Sequence, residues 1–287
     1  MNCVVFVIMS TPRICVLMPV FNGEQYLRES IDSIINQSVT DFEFLIIDDN
    51  SNDNTKDILA TYNDKRIRII RNKSNLGLTK SLNVGIRETR AELIARMDAD
   101  DIADSRRLEK QVFHMQKWQC DLVWSTSIFI DEDGNKICNR FQPSEEFTIR
   151  NLHRYNFIVH PSVVFRKTKV VASGMYDERF RTAQDWDLWR RMKANSCIFG
   201  LVNEVLIKYR ISPVSISSKK LKYSPNISYR NAKLSLKNRD KLNFWKHFHK
   251  VGFFLRAALV LRLVIGERVL LFLEGNSFLR VLRNKLR

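Results

Sequence analysis

Cysteine is scarce in this chain, and the cysteines that occur follow no pattern. There is no Cys-x-x-Cys pair and no Cys/His cluster among the five, which are Cys3, Cys15, Cys120, Cys138 and Cys197. Structural zinc sites and disulfide frameworks need cysteines in sets at regular spacings, so this arrangement argues against both. Scattered cysteines in odd number are typical of a protein from a reducing compartment.

Glycine is also sparse, with nine residues in 287. No Gly-x-Gly-x-x-Gly and no Walker-type loop follows a predicted strand. Both motifs use glycine to bring backbone N–H groups close to phosphates, so their absence weakens a dinucleotide-binding dehydrogenase and a P-loop enzyme. A sugar-nucleotide pyrophosphorylase would need a glycine-rich loop after the first strand, where residues 22–24 read Asn-Gly-Glu.

Long apolar runs are missing as well. No uninterrupted run reaches the roughly 18 residues that a membrane-spanning helix needs. The apolar start at residues 3–8 is short and has neither the basic leader nor the cleavage site of a signal peptide. We expect residues 1–13 to be an N-terminal extension, with Met9 as an alternative start of translation.

Acidic residues are rare at one end of the chain. Residues 219–287 hold 17 of the 47 Lys and Arg residues and three of the 31 Asp and Glu residues. This segment therefore carries 14 of the 16 net positive charges, and the rest of the chain is nearly neutral at +2. The basic character belongs to a tail and says little about the remainder.

The first half of the chain alternates between strand and helix periodicity. Continuous apolar runs predict buried parallel strands, and helical spacing predicts helices between them. The strands are predicted at 14–18, 42–47, 67–70 and 93–97, and the helices at 25–36, 53–62 and 78–89. Such alternation predicts an α/β fold, a Rossmann-like and mostly parallel sheet with helices on both faces.

Beyond residue 107 the alternation is lost. Helices are predicted at 108–118, 147–153 and 185–194, and strands at 122–124, 127–130 and 160–165, with a hairpin turn at 131–135. We expect one domain at 14–217, with halves at 14–107 and 108–217. A basic amphipathic helical tail follows at 218–287.

Three carboxylates are packed into four positions after the fourth predicted strand, at Asp98, Asp100 and Asp101. Strand side chains alternate, so Asp98 and Asp100 point to the same side and can share one divalent ion. Like charges this close repel, and a folded chain usually keeps them where a cation sits. A solvated acidic turn is the alternative.

A second acidic pair, Asp48 and Asp49, ends the second predicted strand. The residues after it, 51–53, suit the capping of the following helix. Capping does not explain two acids at the end of an otherwise apolar strand. A carboxylate there can accept the imide N–H of a uracil ring in a charged hydrogen bond.

Four motifs occur in order at fitting distances: Pro-Val-Phe-Asn at 19–22, Ile-Ile-Asp-Asp-Asn-Ser-Asn-Asp at 46–53, Asn-Leu-Gly-Leu at 75–78 and Met-Asp-Ala-Asp-Asp at 97–101. Together they resemble the nucleotide-sugar-binding half of family-2 glycosyltransferases of the GT-A fold. The resemblance extends to about residue 217. It implies a nucleotide-sugar half at 14–107 and an acceptor half at 108–217.

In that family, the loop after the first strand and the acid pair after the second hold the uridine of a UDP-sugar. The resemblance implies backbone contacts from Pro19, Val20 and Phe21. It also implies that Glu24 lies near the ribose and that Asp49 binds the base.

The Asp-x-Asp motif implies two further contacts. Asp98 points toward the ribose, and Asp100 binds Mg²⁺ or Mn²⁺ on the diphosphate, since hard cations prefer oxygen ligands. Lys80 and Arg107 are candidate neighbours of the diphosphate. The alternative is that both lie on solvated helix faces.

Downstream, residues 183–191 read Ala-Gln-Asp-Trp-Asp-Leu-Trp-Arg-Arg and resemble the Glu-Asp-x-Asp-Leu-Trp segment on the acceptor side of the family. The matching catalytic base is Asp185, with Gln184 where the family more often has Glu. Asp187 is the alternative base, but it lies two positions further along a helix that turns about 100° per residue.

Two shorter segments also match the family. His160-Pro161-Ser162 resembles its His-Pro segment, although a purely structural histidine is the alternative. Tyr209-Arg210, with Ser-Ile-Ser at 215–217, resembles its Tyr-Arg and Ser-x-Ser ending, and Arg210 could face the diphosphate. No Gln-x-x-Arg-Trp signature of processive synthases occurs, which favours transfer of one sugar per encounter.

The resemblance implies a metal-dependent, inverting transfer of one sugar from a UDP-sugar to a hydroxyl of a glycan or lipid-linked acceptor. The bacterial relatives of this type make O-antigen, capsule or other surface polysaccharides. A non-catalytic nucleotide-sugar-binding relic is an alternative. A nucleic-acid-binding protein using the basic tail is another, but it leaves the acidic strand ends unexplained.

The tail has its own pattern. On a helix, the charged residues of 250–274 fall within about one third of the circle, except for Arg262 on the opposite side. A wide apolar face flanked by Lys and Arg suits an anionic membrane surface. We expect a cytoplasmic protein held on the inner face of the plasma membrane through 250–287. The alternative is a helix packed on the domain or on a second subunit.

Removal of the tail tests this expectation. The full chain should co-sediment with vesicles of anionic lipid, and a chain of residues 1–218 should not, because the apolar face and 14 net positive charges are gone. Vesicles of neutral lipid serve as the control. Equal binding of both chains to anionic vesicles would contradict membrane attachment through the tail.

Overall fold

The computed structural model describes residues 13–211. Within this range the helices are Leu27–Ile35 (α1), Thr55–Ala60 (α2), Leu78–Glu88 (α3), Arg107–Trp118 (α4), Glu145–Arg150 (α5), Lys167–Ala172 (α6) and Gln184–Ala194 (α7). The strands are Ile14–Val20 (β1), Glu43–Asp48 (β2), Ile67–Arg71 (β3), Leu93–Arg96 (β4), Ile102–Ala103 (β5), Leu122–Ile130 (β6), Lys136–Asn139 (β7), Val164–Arg166 (β8) and Phe199–Arg210 (β9).

The nine strands of this range form one sheet in the order β3-β2-β1-β4-β8-β6-β9-β5, with β7 paired to β6. β1 runs parallel to β2 and β4, and β2 runs parallel to β3. β8 is antiparallel to both β4 and β6, whereas β9 is parallel to β6. The carboxyl ends of β1, β2 and β4 therefore meet at one edge, where open α/β sheets bind ligands.

Helices cover both faces of the sheet, as the alternation predicts. Successive strand residues point to opposite faces, so β1 contributes to two cores. Val16 and Met18 belong to the core with α1, α2 and α4, whereas Cys15 and Leu17 belong to the core with α3, α6 and α7. All seven residues of β1 are buried, which makes it the central support of the site edge.

The predicted elements of the first half are all present, but two helices are shorter than predicted. The helix predicted at 25–36 spans 27–35, and the one predicted at 53–62 spans 55–60. Asp53 lies in the preceding loop, where its carboxylate accepts the N–H groups of Glu24 and Thr55 at 3.0 Å. Polar residues at the strand end bond to a neighbouring loop instead of extending the helix.

The second half differs more from the prediction. The two strands predicted at 122–124 and 127–130 are the single strand β6, whose pairing with β9 shifts register around Thr126. The strand predicted at 160–165 begins with a 3₁₀ turn at His160–Ser162. β9 was not predicted as a strand. No element was predicted for residues 199–210, which pair with β6 along nearly their whole length.

The N-terminal extension, the Ser-x-Ser ending at 215–217 and the tail at 218–287 lie outside the described residues. Among residues 13–211, no helix has the length and apolarity required to cross a bilayer.

Gly85 in α3 offers a test of the packing between α3 and β1. A Cβ atom there would lie 2.1 Å from Cδ1 of Leu17, which is fully buried. Alanine is the better helix former by about 0.5–1 kcal/mol, but overpacking of a core costs about 1–3 kcal/mol. We expect Gly85→Ala to lower the free energy of unfolding in urea. Arg87→Ala, at an exposed position of α3, is the control, and a gain of stability in Gly85→Ala would contradict the packing.

Candidate active site

The loops after β1 and β2 are bound to each other at the carboxyl edge of the sheet. The N–H of Asn22 donates to Ser51 Oγ at 3.0 Å, and the N–H of Gly23 donates to Thr55 Oγ1 at 2.9 Å. In return, the N–H of Asn52 donates to Asn22 Oδ1 at 2.9 Å. These reciprocal bonds use side chains to satisfy loop backbone groups that have no strand partner. They hold the edge in one arrangement before any ligand arrives.

The residues predicted to contact the uridine begin at this edge. Pro19 and Val20 are buried in β1, whereas the side chain of Phe21 just beyond it is 49% exposed. Glu24 is exposed, and its carboxylate accepts the backbone N–H of Asn54 at 3.0 Å and the side-chain amide at 2.8 Å. The structure brings all four predicted residues to the same edge. It also gives Glu24 a partner within the protein.

Asp49 binds the loop that leads into α3. Its Oδ1 accepts the Asn72 amide at 2.7 Å and the Leu76 N–H at 2.8 Å, and its Oδ2 accepts the Gly77 N–H at 2.8 Å. Oδ2 therefore keeps capacity to accept a further donor. Lys80 is exposed in the first turn of α3, which follows this loop.

Asp48 has a structural role that the sequence did not reveal. It forms an ion pair with Arg71 at the end of β3, and its Oδ1 accepts the Ser51 N–H at 2.9 Å. The acidic pair at the end of β2 therefore ties down two neighbouring loops. A buried carboxylate with such donors is stable in the folded chain without any ligand.

The three carboxylates after β4 form a tight cluster. Asp98, Asp100 and Asp101 each offer an oxygen, and these oxygens lie within 4.8 Å of one another. Burial and the Asp98 charge raise the pKa of Asp100, and burial with the Asp100 charge raises the pKa of Asp101. A divalent cation would offset the mutual repulsion of these carboxylates and favour their ionised form.

The donor set fits such a cation. Asp101 Oδ1 accepts the backbone N–H of Arg210 at 2.8 Å. Asp101 Oδ2 is buried and has no hydrogen-bond partner within residues 13–211. A cluster of carboxylate oxygens is the chemistry that Mg²⁺ and Mn²⁺ select.

A buried arginine lies beside the cluster. Arg96, the last residue of β4, is 1% exposed and forms an ion pair with Asp98. Its Nε atom has no hydrogen-bond partner among the described residues. Burial opposes the charge of Arg96, but the Asp98 carboxylate outweighs it, and the pKa of Arg96 is raised.

The structure corrects the prediction for Arg107. This residue is neither exposed nor free to contact a diphosphate, because it is fully buried. Its Nη2 donates to the carbonyl oxygen of Arg96 at 2.7 Å, and its Nε donates to Gln111 Oε1 at 2.9 Å. Burial and the Arg96 charge lower the pKa of Arg107 to about 9. Arg107 supports the backbone under the cluster.

Arg210 is likewise occupied by the protein. Its Nε donates to the carbonyl oxygen of Asp100 at 2.9 Å, and its Nη1 donates to the carbonyl oxygens of Asp131 and Glu132 at 3.0 and 2.8 Å. It also forms an ion pair with Glu29. Arg210 therefore lies beside the cluster as predicted, but its donors hold the surrounding backbone.

Asp185 lies in the first turn of α7, where the helix dipole favours a negative charge. Its Oδ2 accepts the side-chain amide of Asn156 at 2.8 Å. Burial raises the pKa of Asp185, and the hydrogen bonds from Trp186 N–H and Asn156 and the charge of Arg96 oppose that rise. A buried carboxylate with a raised pKa is suited to accept a proton.

Asp187 points to a different partner. Its Oδ2 accepts two hydrogen bonds from Arg191, one helical turn later, at 2.9 and 2.7 Å. Arg191 Nη2 also donates to the carbonyl oxygen of Met175 at 2.7 Å. Asp187 therefore holds a loop of the acceptor half, which favours Asp185 as the base. Gln184 is buried, and its Oε1 has no partner among the described residues.

His160 lies in the 3₁₀ turn before β8, against two buried aromatic residues. Its Nε2 is 2.8 Å from the hydroxyl of Tyr176, and its ring lies 6.0 Å from the ring of Trp189 in an edge-on arrangement. Burial, with a smaller effect of the Arg96 charge, lowers the pKa of His160 far below its ordinary value. The imidazole is therefore neutral and belongs to a buried aromatic group.

Three residues of the site escaped the sequence analysis: Arg96, Asn156 and Tyr176. A charged residue at the end of an apolar strand was the available signal for Arg96. Asn156 is 29 residues from Asp185, and nothing in its surroundings marks it as a partner. Tyr176 is 16 residues from His160 in the sequence, and the contact between the two depends on tertiary folding.

Comparisons with known proteins agree with this geometry. The profile of glycosyl transferase family 2 matches residues 15–170. An uncharacterized glycosyltransferase of Methanocaldococcus jannaschii is 39% identical over 253 residues, covering 84% of this chain and 86% of the relative. The O-antigen biosynthesis glycosyltransferase WbnJ of Escherichia coli is 32% identical over 238 residues, covering 80% and 92%.

Among solved structures, Staphylococcus aureus TarS 1–349 in complex with UDP-GlcNAc matches with a TM-score of 0.61 and 18% identity. The match covers 87% of this chain and 72% of TarS 1–349. At this identity the likeness establishes the fold, which is the GT-A fold. The chain belongs to glycosyl transferase family 2 and has the GT-A fold.

Proposed function

We propose that this glycosyltransferase moves one sugar from a UDP-sugar to a hydroxyl of a glycan or lipid-linked acceptor, with inversion of the anomeric centre. The observation that carries the proposal is the gathering of three carboxylate oxygens within 4.8 Å at the carboxyl edge of the parallel strands. The names of its relatives support the substrate class, since TarS was solved with UDP-GlcNAc and WbnJ serves O-antigen biosynthesis.

The donor would bind along the edge formed by β1, β2 and β4. Phe21 and Glu24 are exposed there, and Asp49 Oδ2 has capacity for the imide N–H of a uracil ring. Asp98 would approach the ribose, and Lys80 is exposed near the start of α3 for a contact with the diphosphate. Because the loops are already bound to one another, little ordering would be needed on binding.

Asp100 would hold Mg²⁺ or Mn²⁺ in this site. When bound, such an ion offsets the negative charge that develops on the leaving diphosphate. The residues of the chain prepare the place for it. The Arg210 N–H orients Asp101.

Asp185 would take the proton of the attacking hydroxyl as general base. Asn156 fixes one of its oxygens, and burial raises its proton affinity. Attack from the face opposite the diphosphate forms the new C–O bond as the bond to the diphosphate breaks, so the anomeric centre is inverted in one step. The proton passes from the hydroxyl to the Asp185 carboxylate.

The cellular location of the enzyme stays a prediction from the sequence. We place it in the cytoplasm, on the inner face of the plasma membrane, with residues 250–287 on anionic lipid. This position would bring the site to lipid-linked acceptors.

Asp185→Asn tests the base. The change keeps the shape of the side chain but removes its ability to accept a proton, so we expect transfer to fall by about 10²–10⁴-fold. UDP release from a panel of UDP-sugars measures turnover, and calorimetry with Mn²⁺ measures UDP affinity. That affinity should stay within a few fold, because the carboxylate does not hold the nucleotide.

Asp187→Asn is the matched control, since Asp187 lies on the same helix turn and pairs with Arg191. It should retain more activity than Asp185→Asn. Full turnover in Asp185→Asn would remove this residue from the mechanism. A wild-type chain that binds UDP but releases none from any UDP-sugar would favour a non-catalytic relic.

Asp100→Ala tests the metal site. We expect the gain in UDP affinity that Mn²⁺ provides to disappear, because a central ligand of the cluster is lost. Calorimetric titration of UDP with Mn²⁺ and with EDTA measures this gain. Asp104→Ala removes an exposed carboxylate four residues away and should keep it. An unchanged gain in Asp100→Ala would show that the metal assignment is wrong.

A further inference from the structure

Arg96 has a position that the proposed mechanism does not use. It ends β4 at the point where the acidic cluster begins, and its side chain is almost completely buried. Burial of a guanidinium is costly unless a nearby negative charge offsets it. Asp98 is that charge, and its side chain is 27% exposed on the other side. The carboxylate therefore has one protected contact and one open face.

The other two arginines around the cluster do not act in this way. The donors of Arg107 go to the carbonyl oxygen of Arg96 and to Gln111. The side-chain donors of Arg210 go to backbone oxygens and to Glu29. Among the described residues, Arg96 is the cation that pairs with a carboxylate side chain of the cluster.

Hydrogen bonds fix the backbone of Arg96 through both its N–H and its carbonyl oxygen. Its N–H donates to the carbonyl oxygen of Val163 at 2.9 Å, and its carbonyl oxygen accepts Arg107 Nη2 at 2.7 Å. Such contacts fix the direction from which the guanidinium meets Asp98. A group that is fixed in this way can set the orientation of a ligand side chain.

We propose that Arg96 is a positioning residue whose buried guanidinium sets the orientation of Asp98, so that the open face of the acidic cluster is shaped for the donor and its cation. The proposal rests on the proposed function of this site. Arg96 does not touch the substrate, because its donor atoms are enclosed by protein. It acts through Asp98.

The charge of Arg96 also acts on groups at the acceptor end of the site. It opposes the rise in the pKa of Asp185 and contributes to the lowered pKa of His160. The same buried cation therefore lies within electrostatic range of the candidate donor and acceptor carboxylates. Its loss should disturb the donor end first, where it makes a direct contact.

Arg96→Lys is the test, because it keeps the charge but replaces the rigid guanidinium, whose Nη1 pairs with Asp98, by an ammonium on a flexible stem. Calorimetry of UDP binding, with Mn²⁺ and with EDTA, gives the metal-dependent gain in affinity. We expect this gain to shrink by about 10- to 100-fold, the usual effect of removing a group that orients a metal ligand. UDP affinity in EDTA should fall by a smaller factor, because Asp98 is also the proposed contact of the ribose.

Arg66→Lys is the matched control, since Arg66 also pairs with an aspartate, Asp64, but lies outside the acidic cluster. It should keep the metal-dependent gain even if its thermal unfolding temperature falls. A double-mutant cycle adds a second readout. Because Arg96 acts through Asp98, Arg96→Lys should cost little further affinity in an Asp98→Asn background.

Arg96→Met serves if the lysine variant does not fold. A folded variant with the wild-type gain, or additive losses in the cycle, would overturn the proposal. If neither variant folds while Arg66→Lys does, a structural role accounts for Arg96 and the proposal fails. If the wild-type chain itself shows no metal-dependent UDP binding, the proposed function fails instead.

Discussion

Three carboxylates at the end of β4 lie close enough to repel one another, and the rest of the site is arranged around that repulsion. Their oxygens lie within 4.8 Å, and burial makes the repulsion stronger than it would be in water. The protein offsets part of it with the Arg96 guanidinium and the Arg210 N–H. The remainder is an unbalanced negative potential at the sheet edge, which is the property that a cation site requires.

The loops around the cluster show how polar residues at strand ends support one another. The loops after β1 and β2 exchange side-chain hydrogen bonds. The Asp48 carboxylate pairs with Arg71 at the end of β3, and Asp49 accepts N–H groups of the loop that follows β3. Both carboxylates therefore have structural partners, and Asp49 also has a candidate ligand. Such double use makes the edge rigid, and a rigid edge places donor-binding groups accurately.

The sequence was most informative where one periodicity continued over a whole element. β1 to β4 are apolar runs between helical patterns, so their parallel pairing followed from general rules, whereas their order in the sheet was not predicted. β9 has no continuous periodicity, because Asn203 and Glu204 interrupt its apolar pattern. Its pairing with β6 shifts register at the same place. Strand pairing between distant segments supplied what the local pattern did not contain.

The residues of the candidate site also fall into those that the sequence predicted and those that it did not. Asp98, Asp100 and Asp185 stand in motifs, and the structure places them in surroundings that suit the predicted chemistry. Arg107 carried no signal of burial, because a basic residue at a helix start usually faces water. Asn156 comes to Asp185 from another part of the fold, so no local spacing could reveal it.

Arg210 also sets the last residue that a minimal fragment of this domain must include. Its backbone N–H donates a hydrogen bond to the Asp101 carboxylate, and its side chain bonds to the 131–132 turn and to Glu29 on α1. A chain cut before residue 210 would lose these bonds together and leave the acidic cluster without its backbone donor. The boundary of a minimal domain for crystallography or domain exchange therefore lies after Arg210, which is also the last residue of β9 that pairs with β6.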